Sequence, residues 1–271
     1  MNQNLKVAIL GTGNLGMAIA EGLLKSKTVA PPDLFVTRRK VELLDSFRRK
    51  KVNVLTDNKK AAAQANIVFL TVKPHQAENV LEEIKPALKA GQQVIISAVT
   101  GFSMEKIIAI TGKNIPVVRI MPNTAVAIGE SITCMSVAPG FDAEGEKVEK
   151  LLSSLGRTLR IREELMEAST VLGACGVAFA LRFLRALTQG GIEIGFSAET
   201  AQYIAAQTMR GAAGLILENG QHPEKEIDKV TTPMGVTISG LNEMEHNGFS
   251  SSLIKGLVTS YTKISSMKAK N

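Results

Sequence analysis

Residues Gly11-Thr12-Gly13-Asn14-Leu15-Gly16 place three glycines at G-x-G-x-x-G spacing. Such a loop can cradle phosphates when a strand runs into it and a helix leaves it. Val7 to Leu10 is a short apolar run with a β-branched bias, the pattern of a buried parallel strand. Leu15, Ile19 and Leu23 then fall on one face of a helix. In this setting Gly11 permits the tight turn, Gly13 lets backbone approach a pyrophosphate, and Gly16 lets the helix pack on the strand. The first helical N–H groups, around Asn14 and Leu15, would face the phosphates with the positive end of the helix dipole. The plainer alternative is a tight strand-to-helix turn without a ligand.

The next strand, Leu34-Phe35-Val36, ends at Thr37-Arg38-Arg39-Lys40. A site for NAD usually carries an acid about 20 residues past the glycines, to accept from the ribose 2′-hydroxyl. Cations stand here instead. Arg38 and Arg39 suit a 2′-phosphate through the planar guanidinium fork, so the expected cofactor is NADP(H); a solvated basic turn is the alternative. Further strand ends at Thr71-Val72-Lys73-Pro74, Ser97-Ala98-Val99 and Met121-Pro122-Asn123 would line a cofactor from phosphates to nicotinamide. Lys73-Pro74 also reads as a simple strand stop, and Asn123 as a turn residue.

Several chemistries lack their residues. Tyr203 is followed four positions on by Gln207 and Tyr261 by Ser265, so no Tyr-x-x-x-Lys pair exists. There is no lysine between Lys150 and Lys225 to serve as the acid of a β-hydroxyacid dehydrogenase. His75, His222 and His246 lack zinc-ligand spacing, and no metal is expected. With no strong proton donor in evidence, a substrate that arrives protonated, such as an iminium, becomes attractive. One polar knot remains, Lys229 to Gly240. Pro233 suits the first turn of a helix, and Thr231 or Thr232 its cap, which would leave N–H groups for a carboxylate; an ordinary capped helix start reads equally well.

These residues need elements to hold them. From Val41 to Ile161 apolar strand runs alternate with helical patterns: strands near 52–54, 67–72, 94–98, 117–120, 131–137 and 157–161, helices marked by Val41/Leu44/Phe47, starting near Asp57, at Val80/Ile84/Leu88, at 104–110 and at 142–155. That alternation implies a doubly wound sheet. After Arg162 no strand pattern appears: 177–195 reads as a buried helix, 198–219 as a helix stopping at Gly220, Pro223 as the start of a short one, and 250–267 as the last, with Leu253, Leu257 and Ile264 inward. The expected fold is α/β, an N-terminal Rossmann-type doubly wound sheet over 1–162 followed by an all-α dimerisation domain over 163–271. Apolar surface on the helical half would be buried against another subunit.

The formal charge of +7 arises within residues 1–60, which carry 12 basic against 5 acidic side chains; the remainder is balanced at 20 each. An anionic cofactor accounts for that asymmetry, and with no tryptophan and two tyrosines base-stacking platforms are scarce, so nucleic acid is not an expected partner. Cys134 and Cys175 are too few for a disulfide framework. No apolar run reaches the length of a membrane span, and a strand begins almost at once, leaving no room for a leader; a cytoplasmic protein is expected.

Val72-Lys73-Pro74-His75, Val118 to Thr124 and Val230 to Gly240 follow one another as three blocks that resemble those of pyrroline-5-carboxylate reductases, and the resemblance covers essentially the whole chain. It implies NADPH-dependent reduction of the cyclic imine 1-pyrroline-5-carboxylate to L-proline, the last step of proline biosynthesis. By the same resemblance the Thr237 hydroxyl hydrogen-bonds the substrate nitrogen. Thr232, Gly235 and Val236 line the carboxylate pocket, Met121, Pro122 and Asn123 contribute to the substrate site, and Asn58 meets the adenosine end of the cofactor. A homodimer or larger homo-oligomer is implied too. Three positions depart from the pattern: Met234 where glycine is usual, Gly173 to Phe179 where S-G-S-G-P-A-Y is usual, and Arg185 where an acid is common. A sibling reductase for another cyclic imino acid and a non-catalytic NADP-binding paralogue are the other readings.

Overall fold

The computed structural model describes residues 5–268. β1 (Val7–Leu10) leads into α1 (Asn14–Lys25), and β2 (Leu34–Thr37) is followed by a 3-10 turn at Val41–Leu44 and the short α2 (Asp45–Arg49). Then come β3 (Asn53–Leu55), α3 (Asn58–Gln64), β4 (Ile67–Leu70), α4 (Pro74–Ile84), β5 (Val94–Ser97), α5 (Met104–Thr111), β6 (Val117–Met121), β7 (Ser131–Val137), α6 (Asp142–Leu152) and β8 (Gly156–Arg160). The eight strands form one sheet in the order β3-β2-β1-β4-β5-β6-β7-β8. All neighbours are parallel except β6 and β7. The winding direction reverses between β1 and β4, so the crevice at their carboxyl ends is where an open α/β sheet accepts a ligand.

Alternate side chains of each strand enter opposite layers. Val7, Ile9, Val36, Phe69, Ile96 and Val118 pack with Ile19 and Leu23 of α1, Phe47 of α2 and Val148 and Leu151 of α6. Ala8, Leu10, Val68, Leu70, Ile95 and Val117 pack with Ala61 of α3, Leu81 and Ile84 of α4, and Ile107 of α5. Both faces of the central strands are therefore covered, which is why those strands read as unbroken apolar runs. The expected start near Asp57 has a direct cause: its carboxylate accepts from the Lys60 N–H at 2.8 Å and caps α3.

The chain then turns helical: α7 (Met166–Ser169), a π-helical stretch at Thr170–Cys175, α8 (Gly176–Glu193), α9 (Ala198–Asn219), α10 (Pro223–Lys229), α11 (Val236–His246) and α12 (Phe249–Lys268). Among the described residues no strand follows β8. α9 ends as its sequence demands, with Gly220 in the left-handed region at φ +61°. By compactness the chain forms two units, one holding the residues up to Cys175 and those from Tyr261 onward, the other Gly176–Ser260.

Three expectations for the helical half are corrected. α8 is not buried within the chain; Thr188 alone is counted as buried along it, while Leu181, Leu187 and Ile192 are exposed. Leu253 is exposed rather than inward. Pro233 does not begin a helix: α11 starts at Val236, and Pro233 lies in a tight turn. The stretch Glu163–Glu193 is, by length and composition, apolar enough to cross a membrane. It holds no long uninterrupted apolar run, because Arg182 and Arg185 fall within it, with Glu163, Glu164 and Glu167 near one end and Glu193 at the other.

Candidate active site

The glycine loop sits at the crevice between β1 and β4. Gly11 has φ +87°, a conformation that side chains rarely adopt, and a Cβ there would collide with Val72. Its N–H donates to the Thr37 hydroxyl at 3.2 Å. Gly16 packs the helix onto the sheet: a Cβ would lie 2.9 Å from Thr71 Oγ1 and 3.2 Å from Ile9 Cγ2. Gly13 differs. A Cβ there would meet one atom within 4 Å, the Gly11 carbonyl oxygen at 3.9 Å, so among the described residues nothing fills the space above this residue. Gly13 is also the N-cap of α1, and among the described residues no side chain caps that helix and no acid lies in its first turn. Open room above Gly13 together with uncapped N–H groups at Asn14 and Leu15 fits a phosphate.

The basic turn is built into the same loop. Arg38 Nη1 donates to the Thr12 carbonyl at 3.1 Å, while Arg39 and Lys40 are exposed. Thr37, which the sequence reading passed over, is the hub: its hydroxyl accepts from Gly11 and donates to Asn58 Oδ1 at 2.6 Å. Asn58 Nδ2 in turn donates to Glu83 Oε2 at 2.9 Å. Thr37 and Glu83 thus hold Asn58 beside the loop. A threonine ending a strand and an acid one helix later carry no local signal of this.

The remaining strand ends meet the loop from β4 and β5. Thr71 Oγ1 donates to the Leu10 and Gly11 carbonyls at 3.0 and 3.1 Å. Val72 packs on Gly11. Lys73 is the N-cap of α4 and Pro74 its first residue, so the proline both stops the strand and starts the helix. The Ala98 N–H bonds to the Leu70 carbonyl at 3.0 Å. Met121, which ends β6, and the next two residues, Pro122 and Asn123, are all buried. The Asn123 side chain is engaged inside the protein: Oδ1 accepts from the Ala125 N–H at 3.0 Å and Nδ2 donates to the Gly173 carbonyl at 3.2 Å. That carbonyl belongs to the π-helical stretch, a form frequent at functional sites.

In the second unit, Thr232, Pro233, Met234 and Gly235 form a turn closed by the Gly235 N–H on the Thr232 carbonyl at 2.9 Å. Proline at its second position and positive φ at its third are the type II arrangement. Glycine normally takes that third position, but here Met234 does, at φ +59° and fully exposed. The turn itself demands Gly235, whose Cβ would lie 2.5 Å from Thr232 Oγ1. Gly235 is the N-cap of α11, without a side-chain cap. Val236 and Thr237, its first two residues, are exposed. Thr231 does not cap α11; its hydroxyl donates to the Ile227 carbonyl at 2.7 Å, in the last turn of α10.

A model of pyrroline-5-carboxylate reductase dimerisation matches residues 163–267, and one of NADP oxidoreductase, coenzyme F420-dependent, matches 6–101. Pyrroline-5-carboxylate reductase 1 of Dictyostelium discoideum is 45% identical over 96% of this chain, which spans 49% of that relative's length. Reductase 2 of the same organism is 39% identical, with 99% of this chain and 95% of the relative covered. The chain belongs to the pyrroline-5-carboxylate reductase family. The reductase of Aquifex aeolicus is 36% identical over 98% of this chain and 97% of the relative. Among solved structures, a Plasmodium falciparum pyrroline carboxylate reductase with NADP bound superposes with a TM-score of 0.89 at 25% identity, covering 98% of each chain. That of Coxiella burnetii gives 0.85 at 28%, covering 97% of this chain and 98% of its own. Within the family the exposed apolar face of α8 has a ready explanation, since the dimerisation model spans it.

Proposed function

We propose that this chain is an NADPH-dependent 1-pyrroline-5-carboxylate reductase that forms L-proline by hydride transfer to the cyclic imine. The observation that carries the reading is that the sequence building the phosphate cradle aligns along nearly its whole length with two reductases at 39% and 36% identity. NADPH, when bound, supplies the hydride. Gly11 to Gly16 would hold its diphosphate on the N-terminus of α1, Arg38 and Arg39 its 2′-phosphate, and Asn58 its adenosine end. Thr71, Val72, Lys73, Pro74 and Ala98 would line the rest.

Positioning is the main task left to the protein, since an iminium arrives already protonated. Holding two reactants in register contributes about 7–11 kcal/mol to a bimolecular step. Thr237 would orient the ring nitrogen. The uncapped N-terminus of α11, with Thr232, Gly235 and Val236 around it, would hold the carboxylate. We assign Met121, Pro122 and Asn123 to the substrate side of the cofactor, a homodimer or larger homo-oligomer to the assembly, and the cytoplasm to its location, where Cys134 and Cys175, both free, stay reduced.

The test is loss of NADPH absorbance with 1-pyrroline-5-carboxylate, run beside the six-membered piperideine carboxylate. The five-membered ring should be preferred. A preference for the larger ring would move the assignment to a sibling reductase, to which the side chain at Met234 would then be relevant. Thr237→Ala should lower turnover about tenfold or more, the scale of one transition-state hydrogen bond; unchanged turnover would remove Thr237 from the mechanism.

A further inference from the structure

We infer that Arg119 and Glu163 are positioning residues for the reductase reaction, an inference that rests on the activity proposed above. Arg119 lies in β6, opposite Ser97 of β5 and Ser136 of β7. Its side chain is 2% exposed, and it pairs with Glu163, 29% exposed, at 2.5 Å through Nη1 and Oε1. The same Glu163 oxygen accepts from the Met104 N–H at 3.0 Å, at the start of α5. Yet Arg119 Nε and Glu163 Oε2 are buried and have no hydrogen-bond partner among the described residues.

That incompleteness is informative. A buried ion pair is weak evidence of stabilisation, because desolvating both charges offsets their attraction unless the remaining lone pairs and protons are satisfied. Here each partner leaves one polar atom unsatisfied. In some proteins a core keeps such a pair because it fixes geometry. Two residues beyond Arg119 begins Met121-Pro122-Asn123, assigned to the substrate side of the cofactor. Asn123 makes the second attachment, to the Gly173 carbonyl at 3.2 Å. Residues 163 and 173 are therefore both tied to one strand-and-loop segment, at Arg119 and at Asn123. The ion pair sets the root of that segment, and the amide bond sets its tip against the π-helical stretch. The glycine cradle hangs on β1 and β4 and uses neither tie.

The double variant Arg119→Met with Glu163→Gln removes both charges and keeps an oxygen to accept from the Met104 N–H. It should fold, with a KM for NADPH within about twofold of the wild type, while kcat with 1-pyrroline-5-carboxylate falls about tenfold or more. Arg119→Lys, which keeps the charge and shortens its reach, should lie between the two. A purely structural pair would move the melting temperature and leave kcat intact, so an active double variant with wild-type kcat overturns the positioning role. If the double variant does not fold, Arg119→Lys decides, and an unchanged kcat overturns the proposal. Should the wild-type chain itself oxidise no NADPH with the imine, the proposed activity falls and the positioning role falls with it.

Discussion

Gly13 and Gly16 are three positions apart in the fingerprint's second half and answer to different constraints. Gly16 is required by the protein, since its absent Cβ makes room for Thr71 and Ile9. No described neighbour requires Gly13, whose added Cβ would meet one atom within 4 Å, at 3.9 Å; the proposed cofactor diphosphate is what would. Gly13→Ala should therefore leave the melting temperature within a few degrees of wild type and weaken NADPH binding about tenfold or more. Gly16→Ala should lower stability first, by roughly 1–3 kcal/mol for overpacking. Thermal melts and a binding titration separate the two; equal losses of stability would contradict the distinction. Cys134 offers a second residue-scale test. Burial pushes its thiol up, against a smaller opposing pull from a hydrogen bond with Ser169. A raised pKa means less thiolate near pH 8 than in a small thiol of pKa about 8.5. Alkylation of Cys134 should accordingly lag behind glutathione at that pH and keep accelerating after glutathione levels off, as mass spectrometry of the labelled peptide would report.

At the scale of elements, the turn before α11 stores strain. A left-handed conformation costs a non-glycine residue roughly 1–2 kcal/mol, and the exposed Met234 side chain makes no packing in return within its unit. Met234→Gly relieves that strain and adds about 0.4–1 kcal/mol of unfolded-state entropy. The net should be a small gain, so the melting temperature should hold or rise. A fall of several degrees would show that the methionine is packed in the working assembly. This turn also marks where reading the sequence failed. Pro233 suits both the first turn of a helix and the second position of a type II turn, and a positive φ at methionine has no signature. Elements set by neighbours in sequence were legible: the glycine loop between β1 and α1, the Asp57 cap, the Gly220 stop. Ties between distant residues were not. Thr37 meets Asn58 across 21 positions, Arg119 meets Glu163 across 44 and Asn123 meets Gly173 across 50. The alternation of strands and helices could announce the sheet, because burial on both faces leaves continuous apolar runs; which polar groups would meet at its edge depends on the folded topology.

For the whole molecule, the asymmetry of burial dominates. The sheet carries its own two cores, whereas α8, α9 and the connection between them expose Leu181, Leu187, Ile194, Phe196, Leu215 and Leu217. Patches of this kind mark interaction surfaces, and the match of residues 163–267 to a dimerisation model names the kind of partner, a second copy. The melting temperature should rise with protein concentration, as mass action requires when folding and pairing are linked. Differential scanning fluorimetry over a hundredfold dilution series checks this, and a flat response would detach the helices' stability from assembly. A freshly synthesised chain thus meets a race: until it finds its twin, Leu181 and its neighbours are as attractive to a chaperone as to another subunit, and scarce expression favours the chaperone.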